Sequence, residues 1–543
     1  MAEHIPTMQA SYKALVKGIT SLDFGNKTPC ILYLTTEKAF PLLVDSAGET
    51  LIAASRFGQG KVVILPNKEY LTMPSFLPFL QNAVTWLKPP SVPEVGVQSS
   101  FASLAKFLTS KAHKVQTSDT FNKSYGVYCT HADDKSQELV AFIKNGGGLL
   151  IAGQPDPTAA TNDADVFEAY SGNKITGVTG IQFSKLQSKA GVYPFTENIP
   201  LYILKVNETI IAPHMNSLRK DAYNSEVKST ANSSPLFVYG SHSFPLFQTK
   251  DGGNFVAGAM YGRGRVLVIS HKDLLTFPEF KSFPEKALDW LDGGRKGKVG
   301  FTDNMSHLRD ININLSKVEK PIKIPNLDPS LSVICCDAYT EQDTDKILEF
   351  VAEGGGLLVN GHAWTWIVNN TKKNPLTDLP ANKILWNMGI IIPGGSVKVS
   401  DYEPMNSKDF SSYYNFLSIL KLLERFTKKE DTKIFNSTHV SWYPIISLDF
   451  NSLLKMSQEN NLQIRCIFDL INKIFSNLDV PNLPININNK NACLLHLQTL
   501  YYNQYATEEE SKPEWMKITP IPPNSPVENV LIDGNNKGKC DWV

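Results

Sequence analysis

The stretch from Phe57 to Leu87, FGQGKVVILPNKEYLTMPSFLPFLQNAVTWL, is matched without a gap by YGRGRVLVISHKDLLTFPEFKSFPEKALDWL from Tyr261 to Leu291, 204 positions later. Gly58, Gly60, Val62, Lys68, Leu71, Thr72, Pro74, Phe76, Phe79, Ala83, Trp86 and Leu87 each find the same residue type at that offset, and Phe40-Pro41-Leu42 recurs as Phe244-Pro245-Leu246. A long internal period constrains the fold more than any local pattern, because whatever the first copy builds is built again. A second block follows each copy at an offset of 208, AFIKNGGGLLIAGQP from Ala141 against EFVAEGGGLLVNGHA from Glu349. Further on, Asn173-Lys174-Ile175 recurs as Asn382-Lys383-Ile384 and Gly180-Ile181 as Gly389-Ile390.

The local grammar is the same in both copies. TLIAASRF and NFVAGAMY read as apolar strands, GQGK and GRGR as tight turns, and KVVILP and RVLVIS as returning strands. Phe76, Phe79, Ala83 and Trp86 then fall at helical spacings of three and four, which predicts one buried face. A lone GxG before a basic residue also suits a phosphate, but between two apolar runs it reads as turn chemistry. In the second block, YGVYCTHA or SVICCDAY leads through a helix-compatible segment to a glycine C-cap and another apolar strand, the order of a parallel α/β sheet. The repeat stops near Ser407, and SSYYNFLSILKLLERFTKK, DFNSLLKMSQEN and IRCIFDLINKIFSNL carry apolar residues at helical spacing. After Lys512 the sequence turns to proline and asparagine.

A chain of 543 residues is too long for one core, and with 42% apolar and 20% charged residues it predicts several ordinary globular domains. The balance of 53 basic against 53 acidic residues removes the electrostatic argument for nucleic acid as a default partner. The amino terminus lacks a secretory signal pattern and no apolar run reaches membrane-spanning length, so a cytosolic chain is expected. The seven cysteines, odd in number and without CxxC spacing, fit reduced thiols there, and the Asn122 and Asn207 sequons read as chance. There is no HExxH and no His/Cys cluster at ligand spacing, so neither a metal nor a cofactor is expected.

Candidate chemistry is sparse. Cys129 ends a predicted strand two residues before His131, and Cys336, beside Cys335, is assigned the equivalent place before Asp337 and Tyr339; apolar flanks make buried, inert thiols the plainer reading. His362, Trp364 and Trp366 in GHAWTW follow the glycine-rich strand, where open α/β sheets bind ligands. They are the candidate ligand-binding residues, for a small ligand, peptide or glycan, against a structural aromatic cluster under a loop. His271 stands where the other copy has Asn67, so its place does not demand an imidazole. Lys68 and Lys272, each followed by an acid, read as local charge pairing, and GGRKGKVG from Gly293 as a solvated basic connector.

The α/β blocks resemble class I glutamine-amidotransferase-like domains, in which a strand leads into a turn carrying a nucleophilic cysteine. Here those turns hold Ala152-Gly153-Gln154 and Asn360-Gly361-His362, so no catalytic residue is assigned. The expected fold is therefore α/β, a tandem duplication of a β-rich unit plus an amidotransferase-like doubly wound domain, followed by a helical module. The β-rich units are placed at 1–94 and 216–296, the α/β domains at 95–215 and 297–402, the helical module at 403–512, and a linker or the start of a further domain at 513–543.

Both motif blocks, duplicated in this order, make the chain similar to the TRP channel-associated factor family over about residues 10 to 400. That resemblance implies a non-enzymatic factor at the inner face of the plasma membrane that binds a melastatin-type TRP cation channel, promotes its trafficking and regulates its gating. Family members also carry an M60-like metallopeptidase domain with HExxH, which these 543 residues lack, so a short form or an incomplete sequence is expected. The alternatives are an amidotransferase-like hydrolase with a displaced cysteine, and a peptide- or glycan-binding module.

Overall fold

The computed structural model describes residues 4–132, 138–156, 163–220, 231–249, 253–310, 315–318, 320–324, 326–399, 402–404, 415–428 and 461–477. The predicted segment DFNSLLKMSQEN, residues 478–512 of the helical module, and residues 513–543 lie outside them. The architecture is mixed α/β, with two seven-stranded sheets, four two-stranded pairings and a helical segment.

After the amino-terminal helix α1 (His4–Leu15), the first sheet is formed by β1 (Ala39–Val44), β2 (Thr50–Phe57), β3 (Gly60–Leu65), β4 (Glu94–Gln98), β5 (Lys114–Ser118), β6 (Val127–His131) and β7 (Gly148–Ala152). Helices α2 (Leu77–Leu87), α3 (Ala102–Ser110) and α4 (Glu138–Lys144) connect them. The spatial order is β1-β2-β3-β7-β6-β4-β5. The second sheet uses β8 (Ser243–Thr249), β9 (Asn254–Tyr261), β10 (Gly264–Ile269), β11 (Lys298–Phe301), β12 (Leu331–Asp337), β13 (Gly356–Asn360) and β14 (Tyr402–Pro404), in the order β14-β8-β9-β10-β13-β12-β11. Six strands therefore stand in one shared order, with β5 added to the outer end of the first sheet and β14 to the opposite end of the second. Helices α5 (Phe283–Asp292) and α6 (Thr344–Ala352) take the places of α2 and α4.

The expected boundaries at 94/95 and 296/297 differ from what the backbone does. Strand β3 pairs in parallel with β7, Lys61 opposite Gly148 and Leu65 opposite Ala152, and β10 pairs likewise with β13. Each antiparallel hairpin is thus the flank of one continuous sheet, not a separate β unit. A hairpin buried on both faces needs an interior edge to satisfy its backbone, and the parallel strands supply it.

Strand alternation sorts side chains into layers. Val62, Ile64, Leu149 and Ile151 of the first sheet share one apolar cluster with Val266, Val268, Leu357 and Val359 of the second, together with α4 and α6. The opposite faces hold Val63, Leu65 and Leu150 against α2 and α3, and Leu267, Ile269 and Leu358 against α5. Lys144 reaches across the shared layer to Glu349 at 2.8 Å and Glu353 at 2.5 Å. Helices α8 (Phe416–Thr427) and α9 (Leu462–Ser476) pack on each other and on Phe237, Tyr239 and Ile391. Asn415 ties α8 to the second unit, donating to the carbonyls of Gly240 at 2.9 Å and Ser243 at 3.0 Å.

Candidate functional site

The repeated glycines and basic residues meet at the amino ends of the central strands. Gly58 and Gly262 turn the hairpins with φ of 55° and 58°. A Cβ on Gly60 would overlap the carbonyl oxygens of Ile143 and Gly147, and one on Gly264 those of Val351 and Gly355. The turn amides of Gln59 and Arg263 donate at 3.0 Å to the carbonyls of Lys144 and Ala352, the carboxyl ends of α4 and α6. The two duplicated motifs are therefore halves of one contact, a hairpin turn capping a helix. The basic residue after each GxG caps another helix. Lys61 Nζ donates to the Trp86 carbonyl at 2.8 Å and lies 5.2 Å from the Trp86 ring centre. Arg265 Nη1 donates to the Trp290 carbonyl at 2.8 Å and its guanidinium lies 5.6 Å from that ring. These cations serve helix ends and indole faces, not a phosphate. Trp86, expected on the buried helix face with Phe76, Phe79 and Ala83, is half-buried, with Lys61 and Arg56 over its ring.

At the carboxyl ends the copies part. After β3 the chain crosses to α2 on one face, while after β7 it joins the opposite layer through Ile175, Val178 and Ile181. The same divergence follows β10 and β13, where α5 packs on one face and α7 (Ala363–Asn369) enters the other through Ala363 and Trp366. Such a switch point is where open α/β sheets leave a crevice. In the first sheet Asn67 Nδ2 donates to Gln154 Oε1 at 2.5 Å, and Gln154 Nε2 donates to the Thr28 carbonyl at 3.3 Å. In the second, the His271 and His362 rings stack with centres 5.2 Å apart and planes 22° from parallel.

His362 begins α7, its Nδ1 accepting from the Thr365 amide at 3.4 Å, and its own amide donates to the Tyr339 hydroxyl at 3.0 Å. His271 Nδ1 accepts from the Asp273 amide at 3.2 Å, as Asn67 Oδ1 accepts from Glu69 in the first copy. Trp364 lies 6.3 Å from the His362 ring and is 59% exposed. Trp366 points the other way, into the shared core, with Lys373 over its ring at 5.8 Å. Of the three residues singled out, His362 and Trp364 come together and Trp366 does not join them. His271 does not stand out in the sequence, because Asn67 occupies its counterpart. Combining the two offsets finds it: one links position 67 to 271, the other 154 to 362, and β3 pairs with β7.

No described thiol has the exposed, electropositive setting a nucleophile needs. Register corrects one assignment. Cys129 lies opposite Leu150 and Cys335 opposite Leu358, so Cys335, not Cys336, is the counterpart of Cys129. Cys336 faces the shared layer instead. Burial pushes the Cys129 and Cys335 thiols well up and Cys336 to about 12. The thiol nearest the first glycine turn is one the sequence did not flag, Cys30. Its Sγ donates to the Pro66 carbonyl at 3.2 Å, and burial raises its pKa also. His131 meets Gln98 at 3.2 Å and the edge of Phe101. Cys493 and Cys540 lie outside the described residues.

Glu69, beside Lys68, pairs with Lys27 at 2.8 Å, and the 293–300 connector is held by the Asp292 carboxylate, which accepts from the amides of Lys296 at 2.9 Å and Gly297 at 3.2 Å. Among the described residues no group of three His, Cys, Asp or Glu side chains is placed to hold a metal ion. Two small cavities of about 30 and 20 Å³ adjoin Tyr202 and His242 where the two units meet, room for a water or two rather than an organic ligand. Burial lowers His242 to about 4, and His214, against Trp290, to about 4 as well. No helix among the described residues is long and apolar enough to cross a membrane.

The family model described as TRPM8, N-terminal domain, matches residues 3–164 and 161–407. The TRPM8 channel-associated factor homolog of Danio rerio is 31% identical over 98% of this chain and 59% of its own length. TRPM8 channel-associated factor 1 of Homo sapiens is 32% identical over 88% of this chain and 51% of its own length. The chain belongs to the TRPM8 channel-associated factor family. It spans about half the length of the curated relatives it matches. Among solved structures, IMPa metallopeptidase in complex with T-antigen is 13% identical, covering 42% of this chain and 28% of its own, with a TM-score of 0.29. A likeness that slight carries no argument about fold or activity.

Proposed function

We propose that this chain is a non-enzymatic channel-associated factor that binds TRPM8, a melastatin-type TRP cation channel, at the inner face of the plasma membrane, promotes its trafficking and regulates its gating. Family membership, with relatives named for that channel, supports the association. The observation that carries the non-enzymatic half is the pair of glycine turns at the carboxyl edges. Gln154 and His362 stand where an amidotransferase-like fold would offer a thiol, and every described cysteine is buried. On this reading the two sheets are a tandem duplication of an amidotransferase-like scaffold, residues 1–215 and 216–402, kept for its surfaces.

The test is co-expression of the full chain with TRPM8, recovery from detergent-solubilised cells, and surface biotinylation of the channel. The expected result is co-purification with a raised surface fraction. A channel that fails to co-purify, at unchanged surface level, overturns the proposal. Glutamine or amide turnover by the purified chain, abolished by Cys129→Ser, Cys335→Ser or Cys336→Ser, would instead establish the displaced-thiol hydrolase.

A further inference from the structure

We infer that the amino rim of the second sheet docks on an anionic membrane surface, through Lys174, Arg263, Arg295, Lys296 and Lys298. This does not rest on channel association. Arg263 is at the tip of the β9–β10 hairpin, Arg295 and Lys296 lie on the connector after α5, and Lys298 opens β11; all are exposed, as is Lys174. Parallel pairing brings the amino ends to one edge, because β10, β13, β12 and β11 run the same way in that order. The starts of β10 and β11 thus stand three strand spacings, about 14 Å, apart. The charge of Arg295 reaches Arg263, whose Nη1 donates to the Lys174 carbonyl at 3.5 Å. In the first sheet, Gln59, Ser91, Val92 and Glu94 stand in place of Arg263, Arg295, Lys296 and Lys298, and Glu94 is paired with Lys114. The duplicated rim is therefore basic in one copy only.

These charges are not neutralised within the fold. Among the described residues none of the five forms an ion pair with a carboxylate. Asp292, which feels Arg295, spends its oxygens on the Lys296 and Gly297 amides, and Asp328, which feels Lys298, accepts from the Ser330 amide at 2.8 Å. Glu168 pairs with Arg265 at 3.2 Å, and Glu349 and Glu353 with Lys144. Lys296 adds an independent sign. Its φ of 55° is left-handed backbone, which Gly293 and Gly294 adopt beside it without strain and a lysine does not. The form of the rim selects a bilayer over a protein partner. An acidic peptide needs a groove or an apolar anchor. Both cavities described above lie elsewhere, by Tyr202 and His242, and none of the exposed large apolar side chains is on the hairpin tip or the connector. A bilayer holding phosphatidylserine needs only several exposed cations on one edge, within a Debye length of its surface charge.

The experiment is flotation of the full chain with vesicles of pure phosphatidylcholine and of phosphatidylcholine holding about 30% phosphatidylserine, in about 0.1 M and about 0.5 M salt. The chain should float with the anionic vesicles only, and high salt should release it. The variant Arg263→Gln, Arg295→Ser, Lys296→Gly, Lys298→Gln should lose about a hundredfold or more in partition, roughly fivefold for each cation. Its melting temperature should not fall, because the side chains are exposed and unpaired and Lys296→Gly relieves a positive φ. A control carrying Lys13→Gln, Lys17→Gln, Lys106→Gln and Lys123→Gln removes the same charge from exposed sites of the first unit and should bind as the parent does. No flotation with anionic vesicles at low salt, an undiminished rim variant, or an equal loss in the control overturns the inference. So does tighter binding of a glutamate decapeptide than of the vesicles in the same salt, which would make the rim a protein-docking surface.

Discussion

At the amino ends of the central strands, Gly60 and Gly264 touch the same helix-end carbonyls, and Lys61 and Arg265 cap the same turn of helix over the same tryptophan. At the carboxyl ends of those very strands, an amide pair in one sheet faces an imidazole pair in the other. The contrast teaches where this fold is over-determined. At the amino end one residue satisfies several backbone groups at once, so a change leaves buried carbonyls unpaired. At the carboxyl end two side chains meet each other and nearby main-chain groups, and a different pair holds the same places.

The severest way to break the comparison is steric. Gly264→Ala and Gly60→Ala should each cost about 3 kcal/mol or more, because the new methyl meets fixed carbonyl oxygens rather than movable side chains. Urea denaturation of both variants would reveal it, set beside Gly294→Ala, where the Cβ meets nothing within 4 Å and a φ of 78° supplies the strain. One tolerated and one lethal change would mean that the two hairpin contacts are not equivalent.

Acid should separate the units next. His214, against Trp290, and His242, just before β8, both border the second sheet, and burial lowers each to about 4, whereas an unfolded histidine titrates at about 6.5. The unfolded chain therefore binds protons first as pH falls. The stability tied to these neutral rings is complete above about pH 6.5 and is lost progressively towards pH 4. At pH 5 each contributes a loss of about 2 kcal/mol. Hydrogen exchange at pH 7.5 and 5, each corrected for intrinsic rate, should show strands β8 to β10 losing protection before β1 to β3. His242→Gln should flatten that difference, and equal loss in both sheets would contradict it.

Smaller effects sharpen the equivalence further. Lys61→Met and Arg265→Met each remove a helix cap and an indole contact, and thermal melts should place both losses at about 1 to 2 kcal/mol. Lys144→Ala tests the bridge between units. Its side chain is 40% exposed, so solvent screening limits the loss to under about 1 kcal/mol. A larger drop on denaturation would show that the shared layer depends on charge and not on apolar burial.

Much of the fold was legible because the repeat aligned elements before any of them was assigned. The GxG turns, the strands beside them and the glycine C-caps follow from local rules, with Gly146 and Gly354 at φ of 105° and 106°. Even Asn173 and Asn382 explain their recurrence, since Oδ1 accepts from Phe183 at 2.7 Å in one copy and from Ile392 at 2.8 Å in the other. The partition into β-rich and α/β pieces was not legible. Nothing in a hairpin's sequence says which strand its open edge will find. At the candidate site, His362 and Trp364 stood out through the glycine turn before them. His271 lay 91 residues away in another motif and became visible only through strand pairing. The Cys336 assignment failed by one residue, because adjacent residues in a strand face opposite layers.

By itself the sequence determined that one α/β pattern is written twice and that neither glycine turn carries a thiol. It also placed glycine, a basic residue and tryptophan at fixed intervals in each copy. Periodicity and spacing are properties of the chain, and local backbone rules read them directly. Only the tertiary structure decided that the glycine hairpin and the glycine triplet are two sides of one contact, that the two sheets share one apolar layer, and which side chains meet at each carboxyl edge. Those outcomes rest on pairings between residues far apart in the chain, whose energy exists only once hydrogen-bond register has brought them within a few ångströms.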